Sequence, residues 1–220
     1  MVLEVYHAHH QIDTGRHFQK TKTIMRPSIA FFDFDGTITT KDTLFEIIRY
    51  HKGSSGLYVG LVLLSPALVA FKLKLISTQR MKEIVFRYFF GGTSAEAFRN
   101  KCAAFCADHL PGLVKENALQ AIKQHVAKGH QVAVVTASAE DWVEPWCTSL
   151  GIVCIGTRLE VRNALITGRI QGLNCNGPEK VERIRQTFDL SGYEDVYAYG
   201  DTSGDKPMLG IAKFGYYRKF

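Results

Sequence analysis

Asp33-Phe34-Asp35-Gly36-Thr37 sets two carboxylates two residues apart, directly after the wholly apolar run Ile29–Phe32. Residues i and i+2 of an extended chain face the same side, so both acids can address one crevice while Phe34 packs away and Gly36 permits a sharp exit. Two like charges held so close need a cation, and a site built of oxygens alone selects a hard divalent ion. Gly200 and Asp201 end another apolar run, and Asp205 follows in the same loop, adding two further carboxylates. An acidic cluster alone would repel a phosphate ester. Thr136, at the end of a third apolar run, and Lys180, at the start of a helical stretch, are the candidate donors to its oxygens. Together these are the parts that phosphoryl transfer requires: a carboxylate to attack, a second to move a proton, a metal for charge and a lysine for the phosphoryl oxygens.

Elements must hold these side chains in place. The apolar runs at 29–32, 132–135, 152–155 and 196–199 have the pattern of strands buried on both faces of a parallel sheet. Stretches with helical spacing at 118–128, 140–150 and 178–187 alternate with them; Pro178 takes a favoured first-turn position, and Pro145 is expected to kink the second. The fold class is therefore α/β, a doubly wound parallel sheet whose ligand crevice lies beyond the carboxyl ends of the strands. Leu159, Val161 and Ile166 around Asn163 predict a β-hairpin over 158–170, a flap at the sheet edge. From 39 to 112 only helical periodicity appears, which predicts a helical insertion straight after the first strand. The expected organisation is a flexible N-terminal extension at 1–26, an α/β core at 27–40 and 113–220, and a helical cap at 41–112.

Composition narrows the partner. With 46% hydrophobic and 22% charged residues in 220, the chain can bury a substantial core. Its 27 basic against 21 acidic residues give a net charge of +6, which favours anionic partners. The basic residues are scattered, with no run of five, so no nucleic-acid groove is expected and a phosphorylated small molecule is. Five cysteines without C-x-x-C spacing indicate neither a disulfide framework nor a zinc knuckle and fit a reduced cytoplasm; Cys102 and Cys106, one helical turn apart, read as core thiols. His7, His9, His10 and His17 match no ligand spacing, and the stretch bearing them lacks the apolar region and cleavage site of a signal peptide. Residues 53–71 carry no charge and approach the roughly 18 to 20 residues of a membrane span. Pro66 interrupts them and Lys72 and Lys74 follow, so they are read as apolar core of the insertion, with peripheral membrane or lipid contact through 57–71 as the alternative. Trp142 and Trp146 are read as packing residues.

In order along the chain, D-F-D-G-T at Asp33 to Thr37, the apolar strand ending in Thr136, Lys180 in G-P-E-K and G-D-T-S-G-D from Gly200 to Asp205 resemble the four motifs of the haloacid dehalogenase superfamily. The resemblance implies that Asp33 attacks phosphorus and that Asp35 protonates the leaving oxygen and then activates water. It also implies a magnesium ion held by Asp33, the backbone carbonyl of Asp35 and Asp201, with Asp205 supporting Lys180 or a metal-bound water. An aspartate at position 35 implies a phosphatase rather than a dehalogenase. The insertion after the first motif resembles the cap of the phosphoserine phosphatase branch, although Thr136-Ala137-Ser138 departs from that branch's usual Ser-Gly-Gly. Asp42 falls where the branch has a substrate-contacting glutamate, and Arg87 is a second candidate substrate contact from the insertion. A small soluble, phosphoserine-like ester is the substrate expected. The apolar 53–71 stretch resembles that of the phosphatidylglycerophosphate phosphatases of the same branch and implies a lipid phosphate as the alternative. A receiver-like signalling module that keeps its phosphate is the alternative of another class, and a phosphotransferase using the same nucleophile a further one.

Overall fold

A computed structural model describes residues 26–220; the histidine-bearing stretch expected as an extension lies, up to Met25, outside the described residues. The chain runs β1 (Ile29–Phe32), α1 (Thr43–Leu63), α2 (Ser65–Lys72), α3 (Thr78–Phe90), α4 (Ala95–Asp108), α5 (Glu116–Ala127), β2 (Gln131–Ala139), α6 (Glu144–Ser149), β3 (Val153–Thr157), β4 (Leu159–Arg162), β5 (Leu165–Ile170), α7 (Pro178–Thr187), β6 (Val196–Gly200), α8 (Lys206–Gly210) and β7 (Phe214–Tyr217). Five strands form one parallel sheet in the order β3-β2-β1-β6-β7. The chain works outward from β1 to β2 and β3, then returns to β1's other side for β6 and β7. The strand order therefore reverses between β1 and β6, and the crevice opens at their carboxyl ends.

Every residue of β1 is fully buried, which is why its sequence is continuously apolar rather than alternating. Phe32, Val134 and Tyr199 pack on one face of the sheet, in a core continuous with the helices between β1 and β2. Phe31, Val135 and Ala198 pack on the other, with Ile184 of α7 and Met208 of α8. Cys102 and Cys106 are buried thiols in the first of these cores.

Three sequence expectations need correction. The segment 140–150 is not one kinked helix: a 3-10 turn at Glu140–Trp142 precedes the short α6, and Pro145 stands in α6's first turn, where its missing N–H leaves nothing unpaired. The hairpin β4–β5 is present, turning on Asn163 and Ala164 with φ of 49° and 60°. It is a separate two-stranded sheet rather than a flap on the main sheet's edge. Its backbone instead bonds the α3–α4 connection, Gly92 N to Ile166 O (2.8 Å) and Ile166 N to Thr93 O (2.9 Å). The third correction concerns residues 53–71. α1 kinks at Gly53 (φ 73°), only Leu57 and Gly60 are buried beyond that point, and α2 buries none of its residues. The stretch therefore joins the core of the insertion only through Leu57 and Gly60, with Leu61 and Leu64 packed partly against it, and is otherwise exposed.

A Cβ on Gly60 would stand 2.2 Å from Cζ of Phe89 and 2.8 Å from Cε1 of Tyr88, so α1 crosses α3 closely only because residue 60 has no side chain. Gly60→Val is expected to lower the unfolding free energy by about 1–3 kcal/mol through overpacking, read from urea melts followed by the fluorescence of the buried tryptophans; an unchanged midpoint would refute the tight crossing. A second expectation concerns pH. Burial pushes His125 from 6.5 down to about 4, with His130 and Lys128 adding to the fall, and its ring nitrogens lie 2.8 Å from His130 Nδ1 and 3.0 Å from Tyr199 Oη. The folded state resists protonating it, so the unfolded chain binds more protons between pH 6.5 and about 4. Its contribution to stability is whole above 6.5 and is lost as the pH falls through that window. The urea midpoint should fall accordingly, with a shallower slope in His125→Gln; equal slopes in the two proteins would count against the assignment.

Candidate active site

Asp33 is the first residue past β1, and its amide continues the ladder to Tyr199 O of β6 (2.9 Å), which fixes it at the crevice between the two strands. Its side chain is almost wholly buried. Lys180, in the first turn of α7 and 1% exposed, donates from Nζ to Asp33 Oδ1, to Val135 O (2.7 Å) and to Asp205 Oδ1 (2.7 Å). All three of its N–H bonds are thus engaged. Burial pushes the Asp33 carboxyl up to about 7; Lys180 opposes that rise, while Asp205 and Asp35 add to it. For Lys180 burial works downward, but the carboxylates of Asp33 and Asp205 outweigh it and the net shift is upward. For Asp205 burial works upward, and Lys180 with Thr202 outweighs it, holding the carboxyl below its usual range.

Carboxylate oxygens of Asp33, Asp201 and Asp205 lie within 4.8 Å of one another. Asp205 has little capacity left: its Oδ2 accepts from Thr202 N (2.9 Å), Thr202 Oγ1 (2.8 Å) and Asp201 N (3.2 Å), which closes the loop after β6. Asp201 Oδ1 accepts from Thr37 Oγ1 (2.9 Å). Among the described residues no donor reaches Asp33 Oδ2 or Asp201 Oδ2. Two adjacent carboxylates with one oxygen each unpartnered, behind them a third that is fully hydrogen-bonded, form a donor set that fits a hard divalent cation. Gly36 (φ 84°) turns the chain beside them, and a Cβ there would lie 2.5 Å from Asp201 Oδ2.

Asp35 stands apart from that cluster. Its Oδ1 accepts from both N and Oγ1 of Thr43 (2.6 Å each) and its Oδ2 from Ser138 Oγ (2.6 Å). Thr43 Oγ1 in turn receives Trp142 Nε1 (3.1 Å). The first residue of α1 and the end of β2 therefore aim this carboxylate. It lines, with Asp33, Lys180 and Asp205, a cavity of about 340 Å³ between the sheet and the inserted helices. Asp42 reaches the cavity too, while serving as N-cap of α1 by accepting from Leu44 N (2.9 Å); burial and then the charge of Asp35 raise its pKa.

Three expected site residues do not line the cavity. Asp201 stays beside it, in the acidic cluster with Asp33 and Asp205. Thr136 is fully buried and its hydroxyl accepts from Ser138 N (3.0 Å), because β2 runs on to Ala139 and residue 136 lies inside the strand; Ala137 and Ser138 line the cavity in its place. Arg87 is on the wrong side of α3, its backbone packed against Gly168 of the hairpin, where a Cβ would lie 2.3 Å from Arg87 Cα. The face of α3 that meets the cavity carries Thr78, Lys82 and Phe86, spaced four apart. Lys82 Nζ donates to Ala137 O (2.8 Å) and Asn174 Oδ1 (3.0 Å), and burial lowers its pKa against the pull of Asp35 and Asp42. Lys82, Thr43 and Ser138 were missed in the sequence. Ser138 had a legible signal, its two-residue offset from Thr136, and Lys82 had its four-residue spacing to Phe86.

Comparison with known proteins gives the same picture. The family model described as haloacid dehalogenase-like hydrolase matches residues 30–210. Protein CicA of Caulobacter vibrioides is 35% identical over 196 residues, covering 88% of this chain and 87% of its own. Among solved structures, a protein of unknown function from Bordetella pertussis Tohama I superposes with a TM-score of 0.74 at 20% identity, over 88% of this chain and 89% of that one. A phosphoserine phosphatase carrying a phospho-aspartyl intermediate analogue superposes with a TM-score of 0.60 at 20% identity, over 87% and 85%. With its parallel sheet, the helices inserted after β1 and an acidic group at the strand ends, this chain belongs to the haloacid dehalogenase-like hydrolases.

Proposed function

We propose that the protein is a magnesium-dependent phosphomonoester hydrolase that works through an aspartyl-phosphate on Asp33. The observation that carries this reading is the division of labour between two neighbouring carboxylates: Asp33 is buried and bound to Lys180, while Asp35 is aimed into the same cavity by a separate set of donors. A carboxylate oxygen of Asp33 attacks phosphorus as the bond to the leaving oxygen breaks, and Asp35 gives that leaving oxygen its proton. Asp35, then a carboxylate, takes a proton from the water that attacks the aspartyl-phosphate, which releases inorganic phosphate and restores Asp33. Lys180, bonded to Oδ1, fixes the orientation of the Asp33 carboxylate. Asp33 and Asp201, with the backbone carbonyl of Asp35 and with Asp205 behind, would hold the metal. When bound, the ion supplies the positive charge that keeps Asp33 ionised and offsets its repulsion of a phosphate dianion.

The cavity suits a small polar leaving group. Asp42 and Lys82 offer one acidic and one basic contact on the side of the inserted helices, which supports a phosphoserine-like ester. A second reading, a lipid phosphate bearing a similar headgroup, is favoured by the exposure of the apolar stretch once expected to be packed. A release assay pairing soluble phosphomonoesters with phosphatidic, lysophosphatidic and phosphatidylglycerol phosphates separates them: turnover of soluble esters alone supports the first, and turnover of lipid esters alone the second.

Aryl phosphate should be hydrolysed with magnesium and not after chelation, and metal-independent turnover would overturn the proposal. Asp33→Asn should abolish turnover, and no phosphoprotein should form; a persistent phosphoprotein in the unaltered chain, without turnover, would instead favour a signalling module. Lys180→Met leaves two buried carboxylates uncompensated and is expected to cost about 3–5 kcal/mol of unfolding free energy, much more than Asp33→Asn, which keeps a hydrogen-bond acceptor. Equal destabilisation by the two would mean that Lys180 does not carry the charge balance.

A further inference from the structure

Between Glu46 and Glu83 the chain has no acidic residue, but it has six cationic ones: Arg49, Lys52, Lys72, Lys74, Arg80 and Lys82. Arg49 and Arg80 pair with Glu46 and Glu83, and Lys82 is turned to the cavity. Lys52, Lys72 and Lys74 are exposed and enter no ion pair among the described residues. Interspersed with these cations is the largest exposure of apolar side chains in the described chain. Tyr58 and Val62 are one helical turn apart, and Leu63 and Val69 flank the bend between α1 and α2, followed by Leu73 and Leu75. Val62 is 72% exposed, Leu73 64% and Leu75 73%. The opposite side of the same turns, Leu57 and Gly60, is buried, with Gly60 against Phe89, so the outward stripe has no partner among the described residues.

We propose that this elbow, from Tyr58 to Leu75, docks the protein peripherally on an anionic lipid surface, its apolar tip entering the headgroup boundary and Lys52, Lys72 and Lys74 meeting the lipid charge. Charge decides the occupant: a cationic rim without a single acid around an apolar tip complements anionic headgroups, whereas a second copy of the same elbow would bring like charges together. Geometry excludes a straight crossing. The two helices bend by 58° at Leu64, and no single helix among the described residues is long and apolar enough to span. The eight residues of α2 rise only about 12 Å, well short of the roughly 30 Å of hydrocarbon. Docking also brings the surface near the site. Leu75 precedes Thr78, which lines the cavity, by three residues, so the two lie within about 11 Å of chain.

The test is co-sedimentation of the full chain with phosphatidylcholine vesicles, with and without phosphatidylglycerol, a readout that needs no catalysis and so stands or falls apart from the phosphatase reading. Binding is expected only with the anionic lipid and is expected to weaken with salt. Lys72→Gln with Lys74→Gln should weaken it about thirtyfold, each lysine near the surface contributing about 1 kcal/mol and 1.4 kcal/mol being tenfold. Val62→Ser with Leu63→Ser should weaken it at least as much. Both double variants change exposed positions and should keep the unaltered protein's urea midpoint and its turnover of aryl phosphate in the absence of vesicles. Absence of sedimentation with anionic vesicles would overturn the proposal, as would binding that neither pair diminishes. So would a dimer in sedimentation equilibrium that Val62→Ser with Leu63→Ser converts to monomer, since the elbow would then be a self-association face.

Discussion

The ammonium of Lys180, sealed among Asp33, Asp205 and the carbonyl of Val135, is the interaction on which the rest of the arrangement depends. It sits at the point where the order of the sheet reverses, and each partner comes from a different segment: the end of β1, the loop after β6 and the middle of β2, with the lysine itself on α7. Burying carboxylates on bare strand ends would be prohibitive, and burying a lone lysine nearly so. Held together they satisfy one another, and the arrangement leaves one oxygen of Asp33 unpartnered toward the cavity. The chemistry and the tertiary structure of the crevice are therefore one constraint. The loop after β6 obeys it too, because Asp205 must use its second oxygen on Thr202 and Asp201 to keep the first aimed at Lys180.

Around that fixed core, the inserted helices are joined to the sheet through an aromatic seam. Trp142 packs against Phe86 and Phe90 of α3, while its indole N–H reaches Thr43 at the start of α1. The same threonine holds Asp35. The orientation of the second carboxylate is thus set jointly by the core, through Ser138, and by the insertion, through Thr43.

How much of this was legible in the sequence follows from where each signal came from. β1, β6, α7 and their charged termini could be read because total burial imposes apolar runs, and a carboxylate or lysine closing such a run has few structural uses. Thr136 misled because an apolar run marks neither where burial ends nor where a strand ends; β2 continues through the polar Thr136 and Ser138, which are buried and satisfied by hydrogen bonds. Arg87 misled because helix α3 has two occupied faces, one on the cavity and one on the hairpin, and charge alone does not choose between them. β7 escaped notice because Phe214–Tyr217 is an edge strand, exposed along much of its length and short of the apolar pattern. The 53–71 stretch was misread for a further reason: hydrophobicity reports what a segment would bury, and the described residues offer a surface to only one side of it, that of Leu57 and Gly60.

That last point bears on how the two ends of α1 relate. At its N-terminus two carboxylates converge, Asp42 capping the helix through Leu44 N and Asp35 taking both donors of Thr43. Any displacement of this end must break hydrogen bonds to Asp35 and would change how it is aimed. At its C-terminus the helix carries the exposed apolar elbow, where forces from outside the molecule would act. A rigid helix would transmit those forces along its length to the carboxylate. Gly53, at φ 73° and ψ 169°, interrupts the helix between the two ends and removes the stiffness that transmission requires. The elbow can then follow a surface while the hydrogen bonds at Thr43 stay in place, which is the arrangement a site needs if its acid and base must hold their orientation.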